Sequence, residues 1–135
     1  LKESVRIMLE EGLSERYRRH RDHARLVVEA MAALGFRTLA EKEYRSATLS
    51  IFLYPEKMPV DDASFRAACA DEGALLAGCL GEYAGKGFRM GHMGNLDKHM
   101  LVSGIAAIER AAISCGLDVK PGAALAVLQL GLAGK

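Results

Sequence analysis

Apolar side chains recur every three or four positions along the first part of the chain. Leu9, Leu13, Tyr17, Ala24, Val27, Met31 and Leu34 fall on one stripe, which predicts a helix over residues 1–34 with that stripe turned inward. The segment is rich in Leu, Glu, Arg, Ala and Met and has no proline, which suits a helix. Gly12 is placed to bend it or split it in two, and Gly35 to end it. The pattern then changes. Residues 36–40 read as a short strand, and 47–54, rich in β-branched and aromatic residues, as the strongest strand in the chain. Pro55 to Pro59 form a turn. Asp61 or Asp62 caps a helix reaching about Glu72, with Phe65, Ala68 and Cys69 inward. A short apolar strand covers Ala74 to Ala77.

Five glycines, Gly81, Gly85, Gly87, Gly91 and Gly94, punctuate residues 81–94, with a short strand from Phe88 to His92 between them. Asn95 caps a long helix to about Ser114, whose apolar side is Leu96, Met100, Ile105 and Ile108, and Gly116 ends it. Pro121 opens a last apolar helix reaching about Leu132. This order of elements predicts an α+β fold, with helices packed on one face of a small, mostly antiparallel sheet.

Composition narrows the class. The 135 residues fit one domain, spanning 1–135, able to bury roughly two-thirds of its unfolded surface. Half the residues are hydrophobic, 26% are charged and the net charge is +1, so nothing calls for a polyanionic partner such as nucleic acid. Cys69, Cys79 and Cys115 are odd in number and widely spaced, which points to reduced thiols in a cytoplasmic setting. No apolar run approaches the ~20 residues that span a bilayer. No secretory signal pattern opens the chain, and it begins at Leu1 rather than Met, as a fragment or a cloned domain would.

Candidate chemistry is sparse. The glycine-rich stretch fails the phosphate-loop pattern, because the residue five before Gly85 is Leu80 and Lys86 is followed by Gly87. It fails the dinucleotide pattern at Met90, so a tight hairpin is the simpler reading. His20 and His23 share a helix face but lack the further ligands a metal needs, and read as solvated helix residues. His99 reads as His20 and His23 do, while His92 reads equally as a packing residue or a site residue. Arg16, Arg18, Arg19, Arg21 and Arg25 form the one basic cluster, partly neutralised by Glu10, Glu11, Glu15, Asp22 and Glu29. That is the pattern of a solvated helix face laced with ion pairs. No nucleophile elbow is present, and no self-sufficient catalytic set emerges.

Several short motifs acquire meaning together. Glu43-Tyr44-Arg45-Ser46-Ala47-Thr48, then Gly78-Cys79-Leu80-Gly81, then Gly85-Lys86-Gly87-Phe88-Arg89-Met90-Gly91-His92-Met93-Gly94-Asn95 follow one another in that order. The first helix adds Gly12-Leu13, Arg16-Tyr17 and His20-Arg21. This series resembles the class V pyridoxal-phosphate-dependent aminotransferases, and within them the alanine–glyoxylate and serine–pyruvate branch. Those proteins carry a Tyr-Arg-Ser-x-Thr strand, a Gly-Gly-Leu-Gly turn and a Gly-Lys-x-x-Arg-x-Gly-x-x-Gly segment before the last long helix. The agreement in order and spacing runs to about residue 116.

The resemblance implies a two-domain enzyme of fold type I. Its large amino-terminal domain holds pyridoxal 5'-phosphate, and its small domain, here residues 1–135, closes over the substrate. Implied with it are a homodimer, formed mostly through the large domain, and amino transfer from an alanine- or serine-like donor to a glyoxylate- or pyruvate-like 2-oxo acid. The family's carboxylate-binding arginine corresponds to Arg89, with Gly87 and Gly91 leaving room for a ligand beside it. By residue type alone Arg89 reads as an exposed or salt-bridged arginine. None of the seven lysines, Lys2, Lys42, Lys57, Lys86, Lys98, Lys120 and Lys135, stands in the family's Ser-x-x-Lys cofactor context. Catalytic, cofactor-binding and metal residues are therefore not expected in this chain, which is expected to be inactive alone. Cys79 departs from the family, standing at the second glycine of the turn, and the tail over 117–135 has no assigned role. Two other readings stay open: a free-standing ligand-binding or regulatory module built around Arg89, and a dimerising domain using the apolar tail from Ala123 to Leu132.

Overall fold

The computed structural model describes residues 1–134. Gly12, at φ +85°, splits the predicted first helix into α1 (Lys2–Glu11) and α2 (Leu13–Ala33). Glycine takes that left-handed backbone without the steric cost other residues meet. The inward stripe holds for the second half of α2, where Val27, Met31 and the following Leu34 are buried. It fails before that: Leu9, Leu13 and Tyr17 are 66%, 43% and 59% exposed, while Arg16, His20 and His23 are buried. The reason is what each half faces, as the site geometry shows below.

Four strands form one sheet: β1 (Arg37–Thr38), β2 (Leu49–Leu53), β3 (Ala77–Gly78) and β4 (Gly87–Gly91). Their order is β1-β2-β4-β3 and every neighbouring pair is antiparallel. The two interior strands lie within two residues of their predicted bounds. The edge strands are only two residues each, shorter than the predicted 36–40 and 74–77, and the second is displaced towards the glycine turn. Tyr44, where the resemblance begins its Tyr-Arg-Ser-x-Thr strand, lies in a 3₁₀ turn (Lys42–Tyr44) instead. Short edges leave few unpaired backbone groups to recruit another chain.

α3 (Asp62–Asp71) is capped by Asp61, whose Oδ1 accepts from the Ser64 amide at 2.8 Å. α4 (Lys98–Ser114) begins later than predicted. Asp97 rather than Asn95 caps it, accepting from the His99 and Met100 amides at 2.8 Å each. Asn95 is otherwise engaged, with Arg16. α5 (Ala123–Leu132) follows Gly122, which has no side chain to cap it. Glu109, buried on α4, accepts from the Leu125 amide at 3.2 Å and serves the helix start from outside.

Phe52 and Phe88 pair across β2 and β4 and are fully buried. Phe36, Tyr54 and Phe65 surround them with ring centroids 5.3 to 6.3 Å apart. α2 and α3 pack on this face of the sheet. α5 crosses α2 so closely that a Cβ on Gly131 would lie 2.0 Å from Leu26 Cδ2. The tail thus packs on the core through Ala124 and Leu128, while Leu130 stays exposed. On α4, Leu101, Ile105 and Ile108 face inward, while Met100 is exposed.

Candidate functional site

β4 lies between two hydrogen-bonded neighbours, so its backbone is held from both sides. Side chains alternate along it. Phe88 and Met90 turn to the helices, which places Arg89 on the opposite face, in a row with Ile51 of β2 and Ala77 of β3. Arg89 is half-buried. Its Nε donates to the Gly78 carbonyl at 2.8 Å. Its two terminal nitrogens make no hydrogen bond, and no carboxylate pairs with them, among the described residues. A half-buried guanidinium with one donor satisfied and its fork free is suited to a planar oxyanion.

The two glycines flanking Arg89 do different things. A Cβ at Gly87 would sit 2.2 Å from the Phe52 carbonyl oxygen, so this glycine is required for β2 and β4 to pair. Around Gly91 nothing lies within 4 Å of the same construction, which leaves open space beside the arginine. Cys79 is buried and its thiol is pushed up, first by burial and then by the charge of Asp62, with Arg89 opposing. It is a packed thiol rather than an activated nucleophile.

A second polar region was misread from sequence. Glu11 accepts from Arg19 Nε at 2.6 Å and Nη2 at 2.9 Å, and from Arg16 Nη1 at 2.8 Å. These guanidinium groups, Arg19 above all, hold its carboxyl down at about 2. Arg16 also donates to Asn95 Oδ1 at 3.1 Å, and Arg19 to the carbonyls of Leu96 and Gly94 at 2.8 and 3.0 Å. The first half of α2 therefore faces a loop of backbone carbonyls, and cations rather than aliphatic side chains satisfy it. Among the described residues, only Arg18 and Arg25 form the solvated ion pairs expected of the whole cluster, with Glu15 and Asp22 and with Glu29.

His20 and His23, expected in solvent, are buried, and His20 Nε2 lies 3.3 Å from the Gly94 carbonyl. His92 is fully buried, its Nε2 2.9 Å from Ser50 Oγ. The Nδ1 atoms of His23 and His92 have no partner among the described residues, and burial lowers the pKa of both rings. His99 is exposed. No three acidic, histidine or cysteine side chains among the described residues are placed to hold a metal ion.

A groove of about 630 Å³ runs between α2 and residues 42–47, lined by Arg21, Val28, Lys42 and Arg45 among others. Another, of about 690 Å³, lies where α2 meets the start of α4. Arg89 lines neither; it stands on the open face of the sheet. A cofactor aldehyde would need a sheltered amine. Lys2, Lys42, Lys57, Lys86, Lys98 and Lys120 are all exposed, and Lys135 lies outside the described residues. The described residues do not fit a pyridoxal-phosphate site.

A scan against protein-family models finds no match. Individual proteins do match. The serine–glyoxylate aminotransferase of Methylorubrum extorquens is 36% identical over 127 residues, covering 93% of this chain and 31% of its own length. The L-aspartate–glyoxylate aminotransferase of Paracoccus denitrificans is 34% identical, covering 96% and 33%. The crystal structure of the Bacillus subtilis ureidoglycine–glyoxylate aminotransferase superposes with a TM-score of 0.83 at 29% identity, over 96% of this chain and 33% of that one. The chain spans about a third of the length of the curated relatives it matches. It is similar to a carboxy-terminal part of these aminotransferases. The relatives it matches include amino acid–glyoxylate aminotransferases and 2-aminoethylphosphonate–pyruvate transaminases.

Proposed function

We propose that this chain is the small, substrate-binding domain of a pyridoxal-phosphate-dependent aminotransferase, and that Arg89 binds the carboxylate of its substrates. The domain spans the whole chain, and the cofactor is held by the remainder of the protein. The observation that carries this reading is the state of Arg89: half-buried, fixed through Nε, with its terminal fork free and open space at Gly91. A carboxylate is shared by the amino-acid donor and the 2-oxo-acid acceptor, so one guanidinium serves both halves of an amino transfer. A bidentate, charge-assisted pair fixes the position and the plane of the substrate. Pyridoxal phosphate supplies the electron sink for the chemistry when bound. This chain's share is to grip and orient.

The donor is a small amino acid of the alanine or serine kind, and the acceptor a glyoxylate- or pyruvate-like acid. The whole protein works as a cytoplasmic homodimer. The test is Arg89→Ala in the full-length enzyme. Losing a buried charged hydrogen bond lowers kcat/KM for donor and acceptor alike by roughly 30-fold or more. Arg89→Lys recovers little, because an ammonium lacks the planar fork. Unchanged efficiency towards both substrates removes Arg89 from the site.

A further inference from the structure

A short helix holds its shape in water poorly by itself, and in proteins it is stabilised by packing an amphipathic face. α1, ten residues long, has such a face but buries none of its residues. Leu1, Val5 and Leu9 recur at every fourth position, which places them one above another along one side. Leu1 is wholly exposed, and Val5 and Leu9 are 41% and 66% exposed. The start of α1 has no capping side chain to compensate. Leu13 and Tyr17, one turn apart at the start of α2, are exposed as well.

The polar side of α1 indicates what kind of surface would meet this face. Arg6 donates to Glu3 and to Glu10, so these charges satisfy one another. Glu11 accepts from Arg16 and Arg19 of α2 across the break at Gly12, which ties the end of α1 to its neighbour. Among the described residues, Lys2 is the one charge of α1 outside these pairs. α1 is therefore held in place while it presents an aliphatic stripe flanked by mostly neutralised charge. That stripe fits an apolar partner rather than a charged one.

Area decides between a second copy of this chain and a covalently joined partner. A stable interface between separate chains takes about 800 Å² from each side. A helix of ten residues is about 15 Å long, and a stripe of three aliphatic side chains on it falls well short of that area. A partner in the same polypeptide needs far less, because linkage removes most of the entropy lost when separate molecules associate. The relatives are about three times as long as this chain, which is similar to their carboxy-terminal part. We propose that Val5 and Leu9 dock into an apolar surface of the preceding part of the same polypeptide, and that α1, tied to α2 through Glu11, is the strut that seats the Arg89 domain there. This rests on the reading of the chain as one domain of a longer enzyme.

The test is photo-cross-linking of the full-length protein with p-benzoylphenylalanine in place of Leu9. On a denaturing gel, a cross-link within one polypeptide keeps the monomer mass and one between copies doubles it, and peptide mass spectrometry locates the acceptor. The expected product has the monomer mass and an acceptor ahead of residue 1. Val5→Asp is expected to lower its yield at least fivefold, and Val5→Leu to retain it. A doubled mass, an acceptor within this chain, no product, or a yield indifferent to Val5→Asp overturns the proposal. If the Leu9 variant does not fold, the benzophenone at Val5, with Leu9→Asp and Leu9→Met as the paired changes, carries the same test with the same outcomes. Arg89→Ala separates the two readings. If it lowers kcat/KM while the cross-link fails, the carboxylate reading stands and the docking falls; if the cross-link forms as expected and kcat/KM is unchanged, the docking stands and Arg89 leaves the site.

Discussion

From Leu26 onward, α2 turns only apolar side chains towards the sheet and α5: Leu26, Val27, Ala30 and Met31, joined by Leu34 just past its end, all nearly or fully buried. From Arg16 to His23 the same helix buries Arg16, His20 and His23, placing them against Glu11, Asn95 and the Gly94 carbonyl. One continuous helix thus holds the fold by two means. The apolar half contributes through area removed from water, at ~1.5–3 kcal/mol for each large side chain, without regard to direction or pH. The polar half contributes through directed, charge-assisted bonds that offset the cost of burying charge. The first is robust and unspecific. The second fixes how the 92–97 loop, which links β4 and its Arg89 to α4, sits on the helix.

The contrast has measurable consequences. The largest is expected for Met31→Ala, which empties a fully buried position and costs about 2–5 kcal/mol, read as a lower denaturant midpoint with unchanged slope. Arg16→Ala comes next, at about 2 kcal/mol, because Arg19 still neutralises Glu11 while Asn95 loses its partner. An equal or larger loss than for Met31→Ala would erase the distinction between the two halves.

Acid should act through the polar regions alone. His23 and His92 have folded pKa values below the ordinary 6.5, so the unfolded chain binds protons first. Their contribution is full above about 6.5 and is lost as pH falls below it. Glu11 adds a second loss of the same sign as pH falls from 4.5 towards 2. A melting temperature followed from neutral pH downward is expected to decline in these two stages, and His92→Asn to flatten the first. A flat profile across both windows would count against the burial of the two histidines and the pairing of Glu11 with Arg19 and Arg16. The smallest effect is expected for Arg25→Ala, about 0.3–0.5 kcal/mol, since its pair with Glu29 is exposed on the helix surface.

Much of the fold was legible. A β-branched and aromatic run placed β2, the surrounding glycines placed β4, Asp61 or Asp62 marked the start of α3, and Gly12 marked a bend or break where α1 meets α2. The errors share a cause. Leu9, Leu13 and Tyr17 continue the periodic stripe, yet no apolar surface of the described residues covers them. Asn95 precedes a helix as a cap should, but Arg16, 79 positions away, claims its side chain. For the site, Arg89 by itself is an ordinary arginine; only its place in a run of glycine motifs marked it.

What the sequence determined is what nearest neighbours along the chain decide: helix and strand periods, turns at glycine and proline, and the motif series that carries the family resemblance. What only the tertiary structure decided is which partner each polar group found. Glu109 serves a helix other than its own, and Arg16 and Arg19 meet a distant loop. Apolar burial is non-directional and leaves its mark in composition and period. A hydrogen bond needs a particular atom at a particular place, and that place exists only after the chain has folded.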